Sequence, residues 1–150
     1  MAKVAVKNIR FIYLDQSFFF PDRKELKLFL LQLFRTERYK VNKVTYNFCS
    51  DEYLAQLNEE HLKHNTLTDI ITFQYSGNKD PILAEIFISI DRVKENARLY
   101  NCSFLVELYR VMFHGALHLC SYGDKTKHEV SLMRSKEKFY LDAYVPRETF

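Results

Sequence analysis

Tryptophan is absent from this 150-residue chain, and glycine, proline and cysteine occur only three times each. So few glycines and prolines exclude collagen-like and low-complexity sequences, and 47% hydrophobic residues leave a compact chain of regular elements rather than a disordered one. Cys49, Cys102 and Cys120 are odd in number and form no C-x-x-C pair. That argues against a disulfide framework and a thiolate zinc site, and fits a reducing cytoplasm. No run approaches the roughly 20 apolar residues of a membrane span. The opening stretch is interrupted by Lys7, Asn8, Arg10 and Asp15, unlike a signal peptide. Repeats and dividing linkers are lacking too, so residues 1–150 are read as one domain, long enough to bury a single core. A large excess of one charge is also missing: the net +3 permits contact with phosphates without marking a dedicated nucleic-acid binder.

What is present centres on His114-Gly-Ala-Leu-His118-Leu-Cys-Ser-Tyr-Gly-Asp124. Two histidines four residues apart on a helix share one face, close enough for both imidazoles to reach one metal ion. Asp124 follows the second histidine by six residues, after a break carrying Gly123. This H-x3-H-x5-D spacing is that of the zincin pattern H-E-x-x-H-x-x-G-x-x-H, in which the chain reverses and brings back a third ligand. Three protein ligands leave a coordination position open, as catalytic zinc sites do. His128 is the other candidate for third ligand. Thr126 and Glu129, however, form a capping box that starts the last helix at Lys127 and puts His128 in its first turn, pointing away as easily as toward the metal. Asp124 is therefore preferred. Gly115 stands where H-E-x-x-H peptidases carry their general base, so peptide hydrolysis ranks low.

The stretch from His114 to Glu137 resembles the signature H-G-x-L-H-L-x-G-Y-D-H followed by E-x3-M-x3-E of the bacterial YbeY family. His114, Gly115, Leu117, His118, Leu119, Tyr122, Glu129, Met133 and Glu137 match it without a gap. The third family histidine falls on Asp124, the family glycine on Ser121 and its Tyr-Asp on Tyr122-Gly123, so the glycine for the reversal has moved by two. Leu57-Asn58 and Thr68-Asp69-Ile70-Ile71-Thr72-Phe73 resemble a second family pattern, L-N then T-D-V-L-S-F, and Glu85-Ile-Phe-Ile-Ser a third, G-D-I-x-I-S. The resemblance implies a single-domain, metal-dependent endoribonuclease that matures the 3′ end of small-subunit ribosomal RNA and takes part in ribosome quality control. The family's functional arginine aligns with Leu62, and Lys63 or His64 next to it is the candidate for the missing cation that stabilises charge at the scissile phosphate.

Along the chain, residues 2–14 read as an edge strand. A helix then begins at Pro21, with Leu26, Phe29, Leu30 and Leu33 at helical spacing and a basic face of Arg23, Lys24, Lys27, Arg35 and Arg38. Residues 43–49 read as a strand, and Ser50 caps a helix through Asp51 to about His61 with Tyr53, Leu54 and Leu57 inward. The polar loop from Lys63 leads into a strand over 70–75, then the turn 76–81 and a strand over 82–90 that is expected to line the cleft and pair with extended substrate. Glu85 lies on that strand. A short charged helix spans 91–100, and Ser103 caps the apolar ligand helix, 104 to about 119. Lys125, Lys127, Arg134, Lys136 and Lys138 make the neighbourhood of the site basic.

The expected architecture is α+β: a small mixed four-stranded sheet packed by about five helices, with a zincin-like central helix bearing the metal. The expected chemistry is hydrolysis of an RNA phosphodiester with one ion, most simply zinc, held by His114, His118 and Asp124 while basic residues position the backbone. Ribosomal RNA of the small subunit, and with it ribosomal proteins, are the expected partners. The rival reading is a non-catalytic ribosome-assembly factor with a structural ion.

Overall fold

A computed structural model describes residues 7–14, 18–62 and 68–145. The elements are β1 (Ile9–Tyr13), α1 (Arg23–Thr36), β2 (Val41–Cys49), α2 (Asp51–Leu62), β3 (Ile70–Gln74), β4 (Ile82–Ser89), α3 (Ile90–Leu99), α4 (Phe104–Leu119) and α5 (Lys127–Tyr144). The strands form one mixed sheet in the order β1-β2-β4-β3, parallel except for β3, which runs antiparallel to β4. The α+β class, four strands and five helices are those the sequence leads one to expect. The first strand is shorter than expected: Lys7 and Asn8 precede it outside the sheet, and residues 1–6 lie outside the described residues. No helix among the described residues is long and apolar enough to cross a membrane.

Alternation along β2 and β4 sends Val44, Tyr46, Phe48, Ala84, Ile86 and Ile88 to one face, where they join the main core with α1, α4 and α5. The opposite face carries a smaller cluster of Cys49, Ile71 and Phe87 under Leu54 of α2. Because both faces are covered, Thr45 and Asn47 are buried as well. Tyr53 departs from the inward position expected of it; it is 37% exposed and stacks on Phe87 from the margin.

Helix α4 is apolar nearly all round and lies at the centre. The Ser103 hydroxyl accepts the Val106 N–H at 3.2 Å to start it, and the Tyr46 hydroxyl donates to the Met112 carbonyl at 2.8 Å, tying the middle of the sheet to the middle of the helix. At Gly115 a Cβ would stand 2.9 Å from Ile70 Cδ1 and 3.2 Å from Ile86 Cδ1, so glycine is what allows α4 to lie this close to β3 and β4. That approach brings the histidine face of α4 to the free edge of the sheet.

Candidate metal centre and its cleft

His114 and His118 extend from one face of α4 with ring centroids 4.6 Å apart and planes at 83°. Their Nε2 atoms lie 3.5 and 3.2 Å from Asp124 Oδ2. One ligand atom from each of the three residues falls within 4.8 Å of the others, a group that could hold a metal ion. His128 is exposed in the first turn of α5 and is not part of this group. The chain reverses between α4 and α5 to bring Asp124 back, but not through Gly123 as the shifted glycine suggests. No described glycine has positive φ, whereas Ser121 has φ 73°. Ser121 thus takes the left-handed conformation at the position of the family glycine, and its hydroxyl shares a 2.9 Å hydrogen bond with the Tyr39 hydroxyl. Gly123 meets a different demand: a Cβ there would stand 2.7 Å from Glu129 Oε2, inside the capping box of α5.

The side of the group facing the protein is ionic and buried, which the sequence reading missed. Glu137, matched in the sequence only as the last residue of the signature, accepts the His114 Nδ1–H at 2.5 Å and the Arg110 guanidinium at 3.0 Å. Arg110 in turn forks onto Glu107 at 2.6 and 2.9 Å. Burial pushes the Glu137 carboxyl up, but the His114 hydrogen bond and the Arg110 charge outweigh it and hold the group below the usual carboxylate range. An ionised carboxylate only accepts hydrogen bonds, so His114 donates from Nδ1 and turns Nε2 toward Asp124. Imidazole, imidazole and carboxylate are all donors that zinc accepts, and here they converge on one point. The signal for Glu137 was available, since it ends the E-x3-M-x3-E match; its partner was not, because the two residues are 23 apart in sequence.

A cleft of about 810 Å³ opens in front of the group, between α4 and β3. Its walls include Thr68, Asp69, Thr72 and Gln74 on one side and Arg110, His114, His118 and Lys125 on the other. The strand that lines it is the edge strand β3, not the 82–90 strand expected in that role. β4 is hydrogen-bonded on both sides, and its Glu85 faces the other side of the sheet, where Asn47 and Tyr75 donate to it at 3.1 and 2.9 Å. The other edge of β3 has no strand partner among the described residues. Lys63 and His64 lie outside the described residues; the chain enters the cleft wall at Thr68. Cys120 is buried in the core, and burial and the nearby Glu37 push its thiol up to about 12.

The model of the endoribonuclease YbeY family matches residues 21–145. The chain belongs to that family. It is 45% identical over 131 residues to endoribonuclease YbeY of Cytophaga hutchinsonii, covering 87% of this chain and 92% of the relative. To endoribonuclease YbeY of Flavobacterium johnsoniae it is 50% identical over 103 residues, 68% of this chain and 73% of the relative. The solution structure of TM1509 from Thermotoga maritima aligns with a TM-score of 0.60 at 27% identity, covering 88% of this chain and 87% of that one. The enzyme class expected from the signature, a hydrolase of RNA phosphodiester bonds, is the class of the YbeY family. The third reading, a small metallopeptidase, lacks its general base at Gly115, where even a Cβ would stand 2.9 Å from Ile70 Cδ1.

Proposed function

We propose that this protein is a single-strand-specific, metal-dependent endoribonuclease of the cytoplasm that acts on small-subunit ribosomal RNA, in 16S rRNA 3′-end maturation and ribosome quality control. The observation that carries the reading is the convergence of His114, His118 and Asp124 at the mouth of a cleft bounded by the edge strand β3. In this reading His114 Nε2, His118 Nε2 and an Asp124 oxygen hold one ion, most simply Zn2+. When bound, the ion supplies Lewis-acid activation of water and of a phosphoryl oxygen. The residues of the chain do the rest. Glu137 fixes the ring of His114 and keeps its proton on Nδ1. Lys125 offers positive charge to the backbone of the substrate, and Lys63 or His64 supplies the cation that Leu62 does not. The cleft runs beside an edge strand with no strand partner among the described residues, which supports a single strand rather than a duplex as substrate.

His114→Ala is expected to abolish both bound metal, read by elemental analysis, and cleavage of precursor ribosomal RNA, while the far-ultraviolet circular dichroism of the fold persists. Full cleavage by that variant would remove the metal from the mechanism. Metal-loaded wild-type protein that binds the RNA and leaves it intact would favour the assembly-factor reading instead.

A further inference from the structure

The metal group and its cleft leave unused a second hollow, of about 780 Å³, lined by the end of α3 and by α4 and α5. Arg110 belongs to the walls of both, so one side chain separates them. His118, His114 and Arg110 succeed one another at four-residue steps along α4, which spreads them over about 12 Å. That is three to four times the 3.4 Å rise of a stacked nucleotide strand, so a strand cut at the histidines can bring a nucleotide a few places from the cut to the hollow.

The lining suits such a nucleotide. Tyr100 is 62% exposed, and an aromatic ring left in water offers a face on which any base stacks. Of the cations, Arg110 is held by Glu107 and Glu137, and Lys138 pairs with Asp142 at 2.9 Å. Arg134 lines the same hollow and forms no ion pair among the described residues. Its guanidinium is therefore available to a phosphate without breaking an existing bridge. We propose that this hollow is a nucleotide subsite, taking an RNA residue a few nucleotides from the cleavage position, with Tyr100 stacking on its base and Arg134 holding its phosphate. The subsite extends the ribonuclease reading above and rests on it.

Fluorescence anisotropy with a labelled single-stranded oligoribonucleotide and the metal-free full-length protein tests the subsite without cleavage. Tyr100→Ala and Arg134→Ala are each expected to weaken binding about tenfold, and Tyr100→Phe, which keeps the ring, to bind as the wild type does. Arg134→Ala should also reduce the slope of log affinity against log salt by about 0.7, the share of one phosphate on a single strand, whereas Tyr100→Ala should not. Lys79→Ala, in the turn at 76–81, is the control expected to bind normally. Wild-type affinity and salt slope in both alanine variants would overturn the subsite and leave the ribonuclease reading standing. A wild-type protein that binds no RNA would overturn both.

Discussion

Glu137 is a carboxylate with 6% of its side chain exposed, and burial at that level is costly unless every lone pair finds a donor. Arg110 satisfies one oxygen and His114 the other. The orientation of His114 is thereby set from behind, independently of any ion in front. Glu137→Gln keeps the volume but removes the charge that holds the proton on Nδ1. Isothermal titration with zinc should show metal affinity reduced about 10- to 100-fold in that variant, with circular dichroism unchanged. Equal affinity would mean that the imidazole needs no such support. Ser121 presents the opposite case, a residue under local strain: a left-handed β-carbon costs about 1–2 kcal/mol, offset in part by its hydrogen bond to Tyr39. Ser121→Gly removes both terms and loosens the unfolded chain. The expected net effect is a stabilisation of up to about 1 kcal/mol, seen as a urea midpoint shifted upward. A lower midpoint would show the Tyr39 bond to outweigh the strain.

At the scale of elements, α4, the reversal and α5 act as one device, because the third member of the metal group sits between two helix ends that are each fixed locally. Cys120 closes α4, and Thr126 with Glu129 opens α5 by a reciprocal cap in which the Glu129 carboxylate takes the N–H groups of Lys125 and Thr126 at 3.0 and 3.1 Å. Gly123 lies against that carboxylate. Gly123→Ala must displace it and is expected to cost about 1 kcal/mol of stability and to weaken metal binding, since Asp124 is the next residue; urea unfolding and zinc titration on the same preparation read the two effects. Stability and affinity both at wild-type level would show that the cap has room to yield. These helix ends were legible in the sequence because caps are local: Ser103, Thr126 and Glu129 declare themselves within four residues of what they bond. The left-handed Ser121 was not, since a serine carries no mark of that conformation and Gly123 nearby offered a more ordinary explanation.

For the molecule as a whole, the parts of the site that the sequence concealed are those made across long separations. The role of β3 as the cleft wall follows from strand order, and no local pattern distinguishes it from β4, which is equally apolar. The same holds for Glu37, just past the end of α1, which the sequence reading passed over. Its carboxylate accepts the Tyr122 hydroxyl at 2.8 Å, the Lys136 ammonium at 3.3 Å and the Tyr140 hydroxyl, joining α1 to the reversal and to α5. Burial raises the Glu37 carboxyl, and the bonds from Tyr140, Tyr122 and Lys136 together outweigh it and hold the group below its ordinary value of 4.5. The folded state therefore binds this proton less readily than the unfolded chain does, so the contribution of Glu37 is complete above 4.5 and is lost as the pH falls beneath it. Urea unfolding of the metal-free protein from about pH 6 down to about pH 3 should show stability falling on the acid side. Glu37→Gln should be less stable by about 1–3 kcal/mol near neutrality, having exchanged a charged acceptor for a neutral one, and should show a shallower fall in acid. Identical acid slopes in the two proteins would mean that the junction of α1, the reversal and α5 does not depend on the charge of Glu37.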